Sequence, residues 1–237
     1  KLVSNFADTS VGCVSGELIL EKTDKSSIGE GLGLYWNYEK FLRKTESRLD
    51  SMIGATGALY AIRKNLYTPA PANTILDDVF IPLVAVRQGF RAIFESSALV
   101  YDWVAEDTKK EFLRKARTLA GNFQIFLEFK EMFNPVKSRI SWQLFSHKFL
   151  RAILPIFLIL NFLANLFLLN SVFFRNIFIL QVLFYGLALV AAIFKQMRRF
   201  NIPYVFCVLN LSALVGLYRF LFHKQEVTWQ KSQRLTK

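Results

Sequence analysis

Two adjacent carboxylates, Asp77 and Asp78, stand at the front of an otherwise apolar stretch that runs to Phe90. Each negative charge raises the cost of ionising the other, so such a pair can contain a carboxylate with a shifted pKa. A carboxylate within hydrogen-bond reach of a hydroxyl can accept its proton as a general base. Acidic residues also serve as caps at the start of a helix. From these residues alone, the base and the cap interpretations both stay open.

The charge distribution argues against nucleic acid as a partner. The chain has 237 residues, 53% of them hydrophobic, and a net charge of +12. Residues 1–136 carry 17 basic and 17 acidic residues, whereas residues 137–237 carry 13 basic residues and one acidic residue. The whole basic excess lies in the hydrophobic half, as in membrane segments whose flanking Lys and Arg meet anionic lipid. A nucleic-acid groove would need this charge on a folded polar face.

Three apolar stretches in the second half predict transmembrane helices at about 152–169, 173–194 and 203–222. The first, 18 residues without a charge, would be about 27 Å long as a helix, close to the thickness of a hydrocarbon core. The alternative, buried helices of a large soluble core, does not explain the basic residues at the ends of the stretches. Asn161 and Asn165 share one helix face and are expected to hydrogen-bond to a neighbouring helix.

Basic residues alternate with apolar ones in residues 137–151 (KSRISWQLFSHKFLR). This pattern predicts an interfacial amphipathic helix with Trp142 at headgroup depth. The basic loop at residues 195–199 is predicted to be cytoplasmic by the positive-inside rule. Three spans would then put the basic tail, residues 223–237, on the other side, so the side of the tail stays open.

Residues 1–136 predict an α/β domain. Strands are expected at Val11–Leu20, within GATGALYAIRK after Met52, and at Arg91–Asp102; helices are expected at Gly33–Met52, at Asp78–Gln88 with Gly89 as its cap, and from Asp107 or Thr108 onwards. Strands that alternate with helices favour a mostly parallel sheet. Cys13 and Cys207 lie in such different environments that no disulfide is expected.

The start of the chain is unusual for a complete domain. Lys1 is not a start methionine, and about three clear strands are few for a full sheet. Neither a Gly-rich phosphate loop nor an Asp-x-Asp pair occurs in the sequence. We therefore expect the chain to begin inside a domain.

Four features follow one another in a specific order: GATGALYAIRK, then LDD before an apolar helix, then RKARTLAGN, then a basic stretch with several spans. This order resembles the membrane-embedded, inverting family-two glycosyltransferases, which include the cellulose, chitin and hyaluronan synthases. The resemblance covers essentially the whole chain, although each motif alone would be weak. It implies a partial GT-A (Rossmann-like) glycosyltransferase domain at 1–136, followed by the interfacial helix and about three transmembrane helices.

The family's Thr-Glu-Asp motif, which supplies the general base, corresponds to Leu76, Asp77 and Asp78. The resemblance implies that Asp78 accepts the proton of a sugar hydroxyl that attacks the anomeric carbon of a nucleotide sugar. Asp77 would tune Asp78 or cap the helix. A like-charged neighbour raises the pKa of a carboxylate, whereas a helix N-terminus lowers it.

The family's Gln-x-x-Arg-Trp motif falls on residues 114–118. The resemblance implies that Arg117, together with Arg114, lies near the donor pyrophosphate, where a guanidinium can neutralise the departing charge. Arg114 replaces the family's Gln, and Thr118 replaces the Trp that lies at the acceptor terminus in processive synthases. This second departure favours an enzyme that adds one or a few sugars.

Gly54, Thr56 and Gly57 match the family segment that lies near the acceptor, where small residues allow close backbone approach. A tight turn into a strand is an equally good explanation of these three residues. The aromatic cluster Tyr35, Trp36 and Tyr38 could stack on sugar, but helix packing is its expected role.

The donor and metal sites are expected outside the sequence. The resemblance implies Mg²⁺ or Mn²⁺ and a nucleotide-sugar donor, with UDP as the expected nucleotide, bound by residues ahead of Lys1. FADTSVGCVSG resembles the stretch after the family's metal motif, so Asp8 is not assigned as a ligand. The chain by itself is therefore expected to lack donor binding and activity.

These observations predict the carboxy-terminal part of an inverting glycosyltransferase that moves sugar from a nucleotide sugar to a polysaccharide or glycolipid acceptor. The resemblance implies a multi-pass protein of the plasma (inner) membrane with a cytoplasmic catalytic domain. The alternative from another class is a non-catalytic membrane scaffold or transporter subunit. In that case the carboxylate pair and the two Arg residues would be ordinary surface features.

Overall fold

A computed structural model describes residues 1–21, 29–103, 108–194, 202–222 and 224–227 of the chain. Three predicted features lie outside these residues: the Asp107 cap, the basic loop at residues 195–199 and most of the basic tail. The main elements, in chain order, are β1 (Val11–Glu21), α1 (Gly29–Leu49), β2 (Tyr60–Ile62), α2 (Asp77–Arg87), β3 (Arg91–Trp103), α3 (Thr108–Glu128), α4 (Ser141–Phe167), α5 (Val172–Ile193) and α6 (Ile202–Leu221).

The sheet is small and mixed, in the order β2-β1-β3. β1 pairs parallel with β3 and antiparallel with β2. The predicted parallel arrangement therefore holds for one of the two strand pairs. After α1 the chain lies next to β1, where the Thr56 N–H donates to Ser15 Oγ over 2.8 Å. It then reverses direction in a turn in which the Leu59 N–H donates to the Thr56 carbonyl over 2.9 Å. β2 follows this reversal, which makes its pairing antiparallel.

Helix α2 fills the centre of the α/β domain. Every residue from Val79 to Val86 is buried, as expected for a helix that is apolar on all sides. Phe80 packs edge-on against Phe129, the residue directly after α3, with 5.4 Å between the ring centroids. The helix ends before Gly89, whose φ of +93° is the left-handed conformation of a C-terminal glycine. The ends of α2 reach the edge of the domain, with the carboxylate pair in its first turn and Arg87 at its last residue.

Three helices, α4, α5 and α6, are long and apolar enough to cross a membrane. Most of their large apolar side chains are exposed in the isolated chain, including Phe157, Leu183 and Leu211. A soluble surface would not carry so much exposed apolar area. The prediction of three membrane-capable segments is confirmed.

Two smaller predictions about side chains are also confirmed. Asn165 Nδ2 donates to Gln181 Oε1 over 2.9 Å, and Gln181 Nε2 donates to Asn161 Oδ1 over 2.6 Å, so both Asn residues bond to the neighbouring helix α5. Cys13 and Cys207 are both free thiols.

The predicted interfacial stretch and the first span form one helix. α4 runs from Ser141 to Phe167, with a wide π-helical turn at Leu144–Leu150 and no break at the expected boundary after residue 151. Leu144 is fully buried against the α/β domain, whereas Trp142 is 72% exposed on the other side. Contact of this outer side with lipid headgroups stays a prediction.

Trp36 has the packing role expected for the aromatic cluster. It packs against Val205 of α6, as Tyr204 and Leu209 do. Tyr38 is 55% exposed, and the side chain of Tyr35 lies outside the described residues. The α/β domain thus contacts the third membrane-capable helix through α1.

The α/β domain has a second contact with α6, where Gly216 of α6 packs against α3. A Cβ atom at Gly216 would lie 2.8 Å from Leu119 Cβ, 2.9 Å from the Ala116 carbonyl oxygen and 3.0 Å from the Ala120 nitrogen. Two of these atoms belong to the backbone of α3, which cannot move aside independently. Close approach of helices through small residues is common in membrane proteins.

We expect Gly216→Ala to lower the free energy of unfolding by about 1–3 kcal/mol, because the added methyl overpacks this contact. The matched control is Gly186→Ala in α5, where a Cβ would meet nothing within 4 Å. The midpoint of thermal unfolding, Tm, measured in the same detergent, should fall for Gly216→Ala and not for Gly186→Ala. Equal Tm values for the two variants would contradict the α3–α6 contact.

Candidate active site

The carboxylate pair lies at the N-terminus of α2 but does not cap it. Leu76 occupies the N-cap position, and no side chain donates or accepts a capping hydrogen bond there. Asp77 is exposed and Asp78 is half-buried. Neither carboxylate therefore has the cap role that was the alternative to acid–base chemistry.

The segment from Gly54 to Gly57 lies directly against Asp78. The Ala55 N–H donates to the Asp78 carbonyl over 2.8 Å. Gly54 has a φ of +83° and packs on Val79, and a Cβ at Gly57 would lie 3.2 Å from Asp78 Oδ2. Glycines allow the backbone to take this conformation and to pass close to the carboxylate. The segment is thus both the tight turn before β2 and the wall beside Asp78.

Thr56 connects this wall to the sheet and to α1. Its N–H donates to Ser15 Oγ over 2.8 Å, and its Oγ1 accepts a hydrogen bond from Arg43 Nη1, also over 2.8 Å. Arg43 was not found from the sequence, because it stands among other charged residues in α1 and belongs to no motif. The fold brings it to Thr56.

Burial raises the pKa of the Asp78 carboxyl above its ordinary value, and the negative charge of Asp77 raises it further. The positive charges of Arg43 and Lys148 act in the opposite direction without cancelling the rise. Burial also raises the pKa of the Tyr60 phenol, with contributions from the charges of Asp77 and Asp78, so this phenol faces the same pair. Asp78 is a better proton acceptor than an ordinary exposed Asp.

The raised pKa predicts that Asp78→Asn stabilises the protein at neutral pH. The folded state holds the proton of Asp78 more tightly than the unfolded state does, so ionised Asp78 costs stability as the pH rises above the unfolded pKa. The Tm of Asp78→Asn should exceed that of the unchanged protein at pH 7, and the excess should shrink as the pH falls through the folded pKa of Asp78. A Tm difference that does not depend on pH would contradict the raised pKa.

Arg117 holds the segment that leads into the carboxylate pair. Its Nη2 donates to the Ile75 carbonyl over 3.2 Å and to the Val227 carbonyl over 3.0 Å. One turn further along α3, a Cβ at Gly121 would lie 2.6 Å from Leu76 Cγ, so the helix packs closely on the same segment. Arg117 and Asp78 therefore flank one short piece of chain, and the expected contact of Arg117 with pyrophosphate stays a prediction.

The other two residues assigned on α3 have partners within that helix. Arg114 Nη2 lies 2.7 Å from Glu111 Oε2 in an ion pair. The Thr118 hydroxyl donates to the Arg114 carbonyl over 3.0 Å. These contacts orient both side chains along α3, and their expected roles at the donor and the acceptor stay predictions.

A cluster of buried charges joins α1 to α4. His147 Nδ1 lies 2.6 Å from Glu46 Oε1, and His147 Nε2 lies 3.4 Å from Glu39 Oε2. Arg151 forms an ion pair with Glu39. Burial alone would raise the pKa of the Glu39 carboxyl, but the hydrogen bond with His147 and the positive charges of Lys148 and Arg151 outweigh burial and lower it. The sequence pattern had assigned these basic residues of α4 to lipid headgroups.

The expected metal ligands are not among the residues described here. Within the described part of the chain, no group of three or more His, Cys, Asp or Glu residues could hold a metal ion. The described residues thus do not form a site for Mg²⁺ or Mn²⁺, and the expected position of its ligands ahead of Lys1 stays a prediction.

No protein-family model matches the sequence, and no curated protein matches it. Solved structures of similar fold exist. The chain is similar to the mannosyltransferase PcManGT from Pyrobaculum calidifontis, solved in complex with GDP-Man and Mn²⁺, with a TM-score of 0.60 and 17% sequence identity. The match covers 94% of this chain and 57% of that chain. At this identity the likeness shows the fold, a mixed α/β domain with membrane-capable helices.

Proposed function

We propose that this chain is the carboxy-terminal part of an inverting, family-two glycosyltransferase with a GT-A domain, acting at a membrane. The observation that carries the proposal is Asp78: a half-buried carboxylate at a helix N-terminus, with a raised pKa, no capping role, and a glycine wall beside it. A base for a sugar hydroxyl needs this combination of access and basicity. The glycosyltransferase fold of the structural neighbour supports the same reaction class.

In the proposed reaction, the acceptor hydroxyl approaches Asp78 beside Gly57. Its oxygen forms a bond to the anomeric carbon of the donor sugar while the bond from that carbon to the nucleoside diphosphate breaks on the opposite face. The proton of the hydroxyl passes to Asp78, and the diphosphate leaves with the bonding electrons. Attack opposite the leaving group inverts the configuration of the anomeric carbon.

Arg117 is proposed to stabilise the charge that develops on the leaving diphosphate, since a guanidinium can donate two parallel hydrogen bonds to phosphate oxygens. A bound Mg²⁺ or Mn²⁺ would supply further neutralisation of that charge. Thr118, in place of the family Trp, fits the addition of one or a few sugars to a polysaccharide or glycolipid. The proposed setting is the cytoplasmic side of the plasma membrane.

A transfer assay tests the proposal. The complete product of the gene that contains this chain would be placed in lipid nanodiscs with lipid extract, divalent metal and a panel of radiolabelled UDP-sugars and GDP-sugars. GDP-mannose belongs in the panel because the structural neighbour binds it. Incorporation of one labelled sugar, with inversion at its anomeric carbon, is the expected result. Absence of transfer from every donor would favour the non-catalytic membrane scaffold or transporter subunit.

A further inference from the structure

The third membrane-capable helix, α6, lies along the α/β domain for most of its length. Near its start, Val205 packs against Trp36 of α1. In its second half, Gly216 packs against the backbone of α3, and the Phe220 ring stacks on Phe123 of α3 with 5.7 Å between the centroids. From Val205 to Phe220 the helix rises about 22 Å. Both ends of α6 are therefore held at the same domain.

The chain that follows α6 also returns to this domain. Arg219, in the last turn of α6, donates from Nη1 to Gln225 Oε1 over 3.0 Å. Arg117 of α3 then donates from Nη2 to the Val227 carbonyl over 3.0 Å. This bond to α3 requires residues 224–227 to lie on the same side of a membrane as the α/β domain. Three crossings would put them on the opposite side.

Helices α4 and α5 form a hairpin whose tip is the turn at residues 168–171. The Phe206 ring of α6 lies 5.5 Å, between centroids, from the Phe184 ring of α5, and Phe184 is about 18 Å along α5 from the tip. Leu217 of α6 packs in the cluster that contains Ala152, where α4 leaves the α/β domain. These contacts place α6 against the half of the hairpin next to the α/β domain, whereas a crossing helix would extend to the tip.

The helix α3 that lies beside α6 is charged and is unsuited to a hydrocarbon core. Arg114, Lys115 and Arg117 stand in the turn before its contact with Gly216. The Lys115 ammonium lies 5.6 Å from the centroid of the Trp36 ring, which itself packs on α6. A charged side chain at the centre of a bilayer costs roughly 3 kcal/mol or more. If α6 crossed the membrane in this arrangement, α3 would carry several such charges into the core.

We infer that α6 does not cross the membrane: it lies at the surface of the leaflet next to the α/β domain, between that domain and the lipid. The hairpin of α4 and α5 then crosses the membrane and returns, so the protein has two crossings in this region. The chain after α6 stays on the side of the α/β domain. This membrane topology goes beyond the proposed reaction and does not depend on it.

The two sides of α6 fit this position. Ser212, Ala213 and Gly216 are buried, and Gly216 faces α3. Leu211 and Tyr218 are exposed on the other side of the helix. An exposed apolar helix side next to a membrane hairpin is suited to the boundary between headgroups and acyl chains. The partner of this side of α6 is therefore the near leaflet of the bilayer.

Two crossings also agree with the distribution of basic residues. They put the loop at residues 195–199 and the tail at residues 223–237, both rich in Lys and Arg, on the side of the α/β domain. The turn at residues 168–171, on the opposite side, contains no basic residue. The positive-inside rule predicts this arrangement, whereas three crossings would separate the basic tail from the basic loop.

Labelling of single cysteines tests the topology. The complete gene product, with Cys13→Ser, Cys207→Ser and every other cysteine replaced, would be expressed with one new cysteine at a time. Thr68→Cys reports the α/β domain, Asn170→Cys the tip of the hairpin and Glu226→Cys the chain after α6; all three positions are exposed. A membrane-impermeant maleimide is added to sealed right-side-out and inside-out vesicles, and labelling after addition of detergent gives the total reactive thiol.

We expect Glu226→Cys to react in the vesicles in which Thr68→Cys reacts, and Asn170→Cys to react in vesicles of the other orientation. Reaction of Glu226→Cys together with Asn170→Cys would mean three crossings and would overturn the inference. Reaction of all three from one side would overturn it as well, because the hairpin would not cross. If Glu226→Cys does not react even in detergent, a specific protease site inserted after Glu226 gives the same decision by cleavage from one side.

A spin label measures the depth of α6 in the bilayer. The label is attached to Leu211→Cys at the middle of α6 and, as the matched control, to Leu160→Cys inside the hairpin; the two leucines are 54% and 55% exposed. Accessibility to oxygen and to a water-soluble nickel complex in nanodiscs gives the depth. We expect the label at position 160 near the bilayer centre and the label at position 211 about 5–10 Å into the headgroup–acyl boundary. Equal depths at the two positions would contradict a surface helix. Neither measurement requires sugar transfer.

Discussion

Asp78→Asn is expected to lower the rate of sugar transfer by about 100- to 10,000-fold, the contribution typical of a positioned general base. Asn has nearly the same shape as Asp but cannot accept the proton of the acceptor hydroxyl. The fold should persist, because Leu76 and not Asp78 is the N-cap of α2. The measurement is kcat/KM with the donor identified in the nucleotide-sugar panel, together with Tm to show that the variant is folded.

Asp77→Asn is the matched control for this substitution. Asp77 is exposed, and its charge raises the pKa of Asp78. Its removal should leave the maximal rate nearly unchanged and move the acid limb of the pH profile to lower pH, because Asp78 then ionises more easily. If Asp78→Asn transfers sugar at the normal rate, or if Asp77→Asn is the more damaging variant, Asp78 is not the base.

Arg117→Gln is expected to lower kcat by about 100- to 1,000-fold, as is typical when one preorganised group that stabilises transition-state charge is removed. The guanidinium has two roles in this proposal. It donates a hydrogen bond to the Ile75 carbonyl and so holds the chain segment that leads into Asp78. Its remaining N–H groups are proposed to donate to the leaving diphosphate. Because the charge on the leaving group develops mainly in the transition state, kcat should fall more than KM rises.

The matched control for this second substitution is Arg114→Gln, three residues earlier on α3. The Arg114 guanidinium already pairs with Glu111, so its loss should cost much less catalysis than the loss of Arg117. Rates are measured at saturating donor and acceptor, with the same Tm check. Equal losses for the two variants would mean that the general positive charge of α3, rather than Arg117, serves the donor.

Local sequence signals were sufficient for the elements that carry the carboxylate pair and the spans. The apolar run after Asp78 predicted α2, and Gly89 marked its end through a left-handed φ that glycine adopts easily. The uncharged stretches predicted three membrane-capable helices. These features depend on residues close together in the chain, so the spacing of apolar residues and the position of single glycines are enough to predict them.

The direction of β2 could not be read in this way. A short strand after a helix favours parallel pairing when only the alternation of elements is known. The actual pairing depends on the reversal at Thr56–Leu59 and on the hydrogen bond from Thr56 to Ser15, which lies far away in sequence.

The surroundings of Asp78 show the same limit. Arg43, Lys148 and Tyr60 stand in three elements, and no motif connects them. The basic stretch that contains Lys148 has the pattern of a lipid-facing helix, yet its His147 and Arg151 meet buried carboxylates of α1. A pattern of charges predicts that they need partners, but lipid headgroups and protein carboxylates satisfy that need equally well.

The sequence by itself determined that this protein has an α/β half with a carboxylate pair at a helix start and a basic, apolar half suited to a membrane. Those properties follow from composition and from spacing along the chain. Only the tertiary structure decided which side chains meet: Arg43 with Thr56, and His147 with Glu39 and Glu46. The reason is physical, since electrostatic interactions act over a few ångströms in space, whatever the distance along the chain.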